Sequence, residues 1–162
     1  MIGLDMKAGP REPVRLEFPA FATGKGKDRV VPAMLLDCPT TATERAAWVV
    51  ARQQVPGRDE GESEEAYRER LQAALKAWGA DALVGRLDIQ SSVSGVIQAL
   101  AITAHVKALI VGWEHFGDAE TGEAVEPTET AVEAALREPR IAAVVERWMD
   151  AQTAALRHEG NG

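Results

Sequence analysis

From Val14 the chain alternates, with Val14, Leu16 and Phe18 apolar and Arg15 and Glu17 charged. A side-chain period of two is that of a half-buried β-strand, and Pro19, which lacks an N–H, ends it or holds it at a sheet edge. TGKGKD (23–28) carries the glycines of a turn. RVVPAMLL (29–36) is a second strand candidate, with Pro32 at an unpaired position, so 14–36 predicts a β-hairpin.

Beyond residue 40 the period changes to that of helices. Thr41 and Glu44 have the spacing of a capping box at the head of a helix over 40–55, which stops at Pro56-Gly57. RDEGESEE (58–65) is an acidic connector. Ser63 caps a second helix running through Trp78, in which Tyr67, Leu71, Ala74, Leu75 and Trp78 recur at helical spacing. Gly79 stops it, and ADALVGRLDIQ contains a short helical turn. The next helix, with Ser91 or Ser92 as cap, is the most apolar: Val93, Val96, Ile97, Leu100, Ala104 and Ile110 place it at the centre of the core as far as Trp113. Gly95 inside it marks close packing. Thr128 caps ETAVEAALRE. Pro139 then starts a last helix with Ile141, Val144, Val145, Trp148 and Met149 on one face.

These elements predict a mainly α fold of the α+β type, a two-stranded N-terminal hairpin followed by five or six helices. Residues 1–13 read as a flexible leader, 14–157 as one domain (hairpin 14–36, helical part 40–157) and 158–162 as a frayed tail. A chain of 162 residues with 46% hydrophobic content can bury a core of that size. Its one Tyr and three Phe, with many alanines, favour helix over strand.

The net charge of −7, from 25 acidic and 18 basic residues, opposes binding to nucleic acid or to an anionic membrane surface. Cys38 is the only cysteine, so no internal disulfide forms and nothing points to an oxidising compartment. The longest apolar run, 93–113, is interrupted by Gln98, His105 and Lys107, and MIGLDMKAGPREP has no apolar signal core. The expectation is a cytosolic protein with no membrane-spanning segment.

Chemistry finds little support in the residues. Counted as a calcium loop from Asp118, DAETGE puts Glu120 third but Gly122 fifth, and Glu123 occupies the sixth position where the glycine belongs. A turn is the better reading. His105, His115 and His158 lie in separate segments with no zinc-like spacing, and Cys38 reads as a small buried residue before a helix. GKGK (24–27) lacks the spacing and following helix of a phosphate loop, and fits a hairpin tip. Glu64-Glu65 and the Asp118/Glu120 pair read as solvated faces. No catalytic residue, metal or cofactor is expected. The four tryptophans, Trp48, Trp78, Trp113 and Trp148, outnumber the phenylalanines. Tryptophan anchors interfaces when it lies at an edge, and methionine adapts to varied partners. Trp78, Trp113, Trp148 and Met149 are therefore the candidate partner-binding residues.

The order of the C-terminal half resembles the tail assembly chaperones of long-tailed bacteriophages and phage-like elements. An apolar helix ends in ALIVGWEHFGD, an acidic turn carries TGEAVEPTET, a short helix AVEAALREP follows, and IAAVVERWMDAQ closes. The positions that carry the likeness are Trp113, Glu114, Asp118, Gly122, Pro127, Thr128, Leu136 and Pro139, within roughly 93–152. The resemblance implies a non-enzymatic chaperone of the host cytoplasm. Such a protein binds the aggregation-prone tape measure protein, helps recruit tail tube protein subunits and is not retained in the mature virion; self-association is compatible with it. Two rivals stay open: another phage structural protein, such as a head–tail connector or tail completion protein, and a small enzyme or ligand-binding domain using Cys38 or the histidines.

Overall fold

The computed structural model describes residues 12–76 and 88–159. Most of the expected leader, the turn after Gly79, Trp78 and the end of the tail lie outside them. Among the described residues are five α-helices and one three-stranded antiparallel sheet. The strands are β1 (Val14–Glu17), β2 (Ala33–Leu36) and β3 (Ile110–Glu114); the helices are α1 (Thr41–Gln54), α2 (Glu64–Lys76), α3 (Ile89–Leu109), α4 (Glu129–Leu136) and α5 (Pro139–Glu159). The chain divides into two compact units. One takes the chain up to Thr41 and again from Val106 onward; the other is Ala42–His105.

In the first unit the expected hairpin forms, and it acquires a third strand. Val14 pairs with Leu36 and Glu17 with Ala33, with Pro19 just beyond the end of β1. Phe18 N–H donates to the Pro32 carbonyl at 2.9 Å, so Pro32 accepts a bond where it can give none. The hairpin loop is closed by mutual Thr23–Val30 backbone bonds of 2.9 Å. Gly24 turns it at φ 75°, with the Asp28 carbonyl 2.2 Å from where a Cβ would stand, which leaves room for glycine alone.

The helix expected to run to Trp113 ends at Leu109, and Ile110–Glu114 becomes β3 against β2. A continuous apolar run does not distinguish helix from buried strand, and here the β-branched Ile110 and Val111 with Gly112 favour the strand. Leu35 faces Gly112 but Leu36 faces Ile110, so Val111 is the extra residue of a bulge and turns outward. As the central strand, β2 buries Ala33, Met34 and Leu36, while the edge strand β1 keeps Arg15 and Glu17 exposed. Arg15 bridges to Glu114 at 2.9 Å, a bond that ties the two edges across β2.

Phe18, Val106, Leu109, Val132, Ile141 and Val145 are also buried in this unit. Thr128 caps α4 as expected, its hydroxyl accepting from Ala131 N–H at 3.3 Å. Lys107, one of the polar breaks in the apolar run, reaches α4 through Glu133 at 2.6 Å and Glu129 at 3.5 Å. Its ammonium is held in the charged form chiefly by the Glu133 bond.

In the second unit, α1, α2 and α3 share one core of Ala51, Val55, Leu71, Leu75, Val96, Leu100 and Ala101, with Tyr67, Val93 and Ile97 packed against it. Ser63 caps α2 as expected, accepting from Ala66 N–H at 3.2 Å. Thr41, expected to precede α1, falls on its first residue. The cap of α3 is Asp88 and not a serine: its carboxylate accepts from Ser91 N–H at 2.8 Å and from the Ser91 hydroxyl at 2.6 Å. Those bonds hold the Asp88 carboxyl below the usual carboxylate range. The acidic connector is tied down by Arg70, which bonds Glu62 at 2.7 Å, Asp59 at 3.2 Å and the Gly57 carbonyl at 2.8 Å.

Gly95 does not mark close packing: a Cβ built on it meets nothing within 4 Å. It is exposed in the interior of α3. Gly95→Ala is expected to stabilise the protein by about 0.5–1 kcal/mol, the ordinary helix-interior difference between the two residues. Urea unfolding followed by circular dichroism measures it, and a lower midpoint would show that the site is not open.

Candidate binding surface

Helix α1 is amphipathic in an unusual sense. The side it buries is small, Ala47 and Ala51, followed past the helix end by Val55. Its large apolar side chains point elsewhere. Trp48 is 38% exposed, Val49 55% and Val50 43%. At about 100° per residue, Arg45 and Arg52 fall within about 20° of one another, two turns apart, with Trp48 and Val49 on either side of the line joining them. All four fall within about 100° of the helix surface, with Trp48 at the edge nearest Ala51. A search for large apolar residues at core spacing overlooks such a helix. The recoverable signal is the i, i+4 recurrence of alanine at 47 and 51.

Trp113, in contrast, is engaged within its own unit. It is half-buried on β3, its ring stacks on Phe116 with centroids 4.4 Å apart, and Phe116 meets Phe18 edge-on at 5.9 Å. Its indole N–H donates to the Val125 carbonyl, which fastens the far side of the acidic loop to the sheet. The loop itself is a turn. Asp118 Oδ1 accepts from Glu120 N–H at 2.9 Å, Thr121 N–H at 2.8 Å and the Thr121 hydroxyl at 3.2 Å, and Gly122 takes φ 71°. The backbone N–H groups of Thr121 and Glu120 hold the Asp118 carboxyl below its usual range. The carboxylate thus serves its own turn, an Asx-type arrangement.

Met149 is buried, at 8% exposure. Trp148 is half-buried, and its indole nitrogen is buried with no hydrogen-bond partner among the described residues. Trp78 lies outside the described residues. The structure therefore leaves Trp113, Trp148 and Met149 in different settings, and among the described tryptophans the exposed one is Trp48, which was not among the expected binding residues.

Cys38 is a free, half-buried thiol following β2. His105 is buried on α3, with its Nε2 3.2 Å from the Thr43 hydroxyl. His115 is exposed at φ 59°. Glu64 pairs with Arg68 at 3.3 Å along α2. Among the described residues no three His, Cys, Asp or Glu side chains are grouped to hold a metal ion. Contrary to the sequence expectation, Gln90–Leu109 is long and apolar enough to cross a membrane by length and composition, despite Gln98, His105 and Lys107. In the fold the same helix supplies Val96, Leu100 and Ala101 to a protein core. No protein-family model, curated protein or solved structure matches this chain.

Burial pushes the His105 imidazole below its ordinary value, an effect that the charge of Glu44 only partly offsets. The unfolded chain therefore takes up this proton at a higher pH than the folded one. The contribution of His105 to stability is expected to be level above about pH 6.5 and to fall as the pH drops from there toward the lowered folded value. His105→Gln should flatten that part of a stability-against-pH profile measured by urea unfolding, and an unchanged slope would show that His105 titrates alike in both states.

Proposed function

We propose that this chain is a tail assembly chaperone of a long-tailed bacteriophage or phage-like element. It binds the tape measure protein in the host cytoplasm, helps recruit tail tube protein and leaves before the virion matures. The observation that carries the reading is the stripe on α1, where Trp48 and Val49 stand exposed although two other sets of apolar residues fill protein cores. A client that is a long apolar-faced helix needs such a surface to lie against, and it needs no catalytic group. The residues that carry the family resemblance are joints: Trp113 and Asp118 fasten the turn, and Thr128 and Pro139 begin helices. This is the role expected of positions that shape a scaffold and leave contact to other surfaces.

The test is co-expression of the tagged chain with the tape measure protein encoded in the same genome. Co-purification with an increase in soluble client is the expected result, and Trp48→Ala combined with Val49→Ser should cut the captured client about tenfold or more, the loss typical of a tryptophan anchor. A client that stays insoluble and unbound would end this reading. Stoichiometric recovery of the chain from finished particles would replace it with a structural role in the virion.

A further inference from the structure

Arg45 and Arg52 are exposed and carry no ion pair among the described residues, a state they share with Arg29 and Arg137, but Arg45 and Arg52 stand on one helix beside exposed apolar side chains. Seven residues apart on a helix, they stand about 10 Å from one another on one line, with Trp48 and Val49 between. Tryptophan and arginine are the side chains most enriched in binding hot spots, and a guanidinium takes a carboxylate through two parallel bonds. From this arrangement we infer that the α1 stripe docks an acidic amphipathic helix of another protein, one whose carboxylates recur at the same two-turn spacing around an apolar centre. The inference rests on reading the chain as a protein binder, and adds the chemistry of what it binds.

The charge pattern selects this occupant. A polyanion such as nucleic acid would meet two cations on a chain of net charge −7 and be repelled by the rest. A partner helix with two carboxylates satisfies both guanidiniums, and its apolar residues cover Trp48 and Val49. A basic helix would leave four like charges facing one another. The stripe therefore discriminates by the sign of its partner's charge as well as by apolar fit.

The probe is a fluorescein-labelled synthetic helical peptide with Glu at two positions seven residues apart and Leu and Ala between them. Its counterpart has Lys at those two positions. Anisotropy titrations with the full chain should show the acidic peptide binding at least about tenfold more tightly than the basic one, with affinity falling as salt is raised. Arg45→Glu with Arg52→Glu should invert the preference, with circular dichroism checking that both exposed substitutions leave the fold intact. Equal affinities, or no binding of either peptide to the wild-type chain, would overturn the inference; that comparison needs no variant. A wild-type chain that sediments as a dimer, and becomes monomeric on charge reversal, would also overturn it by assigning the stripe to a second copy. The tape measure experiment reads the other claim separately. Selective capture of the acidic peptide without rescue of the tape measure protein would keep the inference and end the tail-chaperone reading, and rescue undiminished by charge reversal would do the reverse.

Discussion

The discontinuous unit depends on β2 having a hydrogen-bonded neighbour on both sides. A two-stranded hairpin on its own is marginal in water, and four-residue strands leave little to hold it. Pairing Ala33–Leu36 with Ile110–Glu114 satisfies the second edge of β2 and joins segments far apart in sequence. The cost is the closure of a long loop, which grows only slowly with its length and is shared with a compact three-helix unit folded inside it. Phe18, Met34 and Leu36 are buried in this unit, while Trp113 and Phe116 stack at the end of β3.

The acidic turn that follows is a consequence of the same strand. Once β3 ends at Glu114, the chain must reverse before Thr128 can open α4. Asp118 closes the bend with its own carboxylate, and the Val125 carbonyl returns to the indole of Trp113. A tryptophan used in this way gives rigidity to the joint.

The inserted unit solves a different problem. Three helices meet around Leu71, Leu75, Val96 and Leu100, and α1 contributes Ala51, with Val55 just past its end. With Ala47 and Ala51 as its buried side chains, α1 keeps its bulk on the outside. A tryptophan left exposed between two guanidiniums that have no ion pair among the described residues gives up stability that burial would have supplied, since covering such a side chain contributes roughly 2–3 kcal/mol. A surface of this kind suits a protein whose business is contact.

Local chemistry settled much of this architecture in advance. The alternation at 14–18, the proline and glycine punctuation, the Ser63 and Thr128 caps and the helical periods of α2 and α5 act between near neighbours and were legible in sequence. Three things were decided by tertiary structure. Ile110–Glu114 became a strand because an open edge of β2 was there to receive it, and an apolar run carries no mark of its partner. Asp88 became the cap of α3 because it stood nearer the true helix start than the serines. Which side of α1 faced inward also became visible only in the fold, where Ala47 and Ala51 are the buried residues. Hydrophobicity alone favours burying Trp48 and Val49, so the candidate binding stripe emerges only when packing geometry outweighs the transfer preference of single side chains.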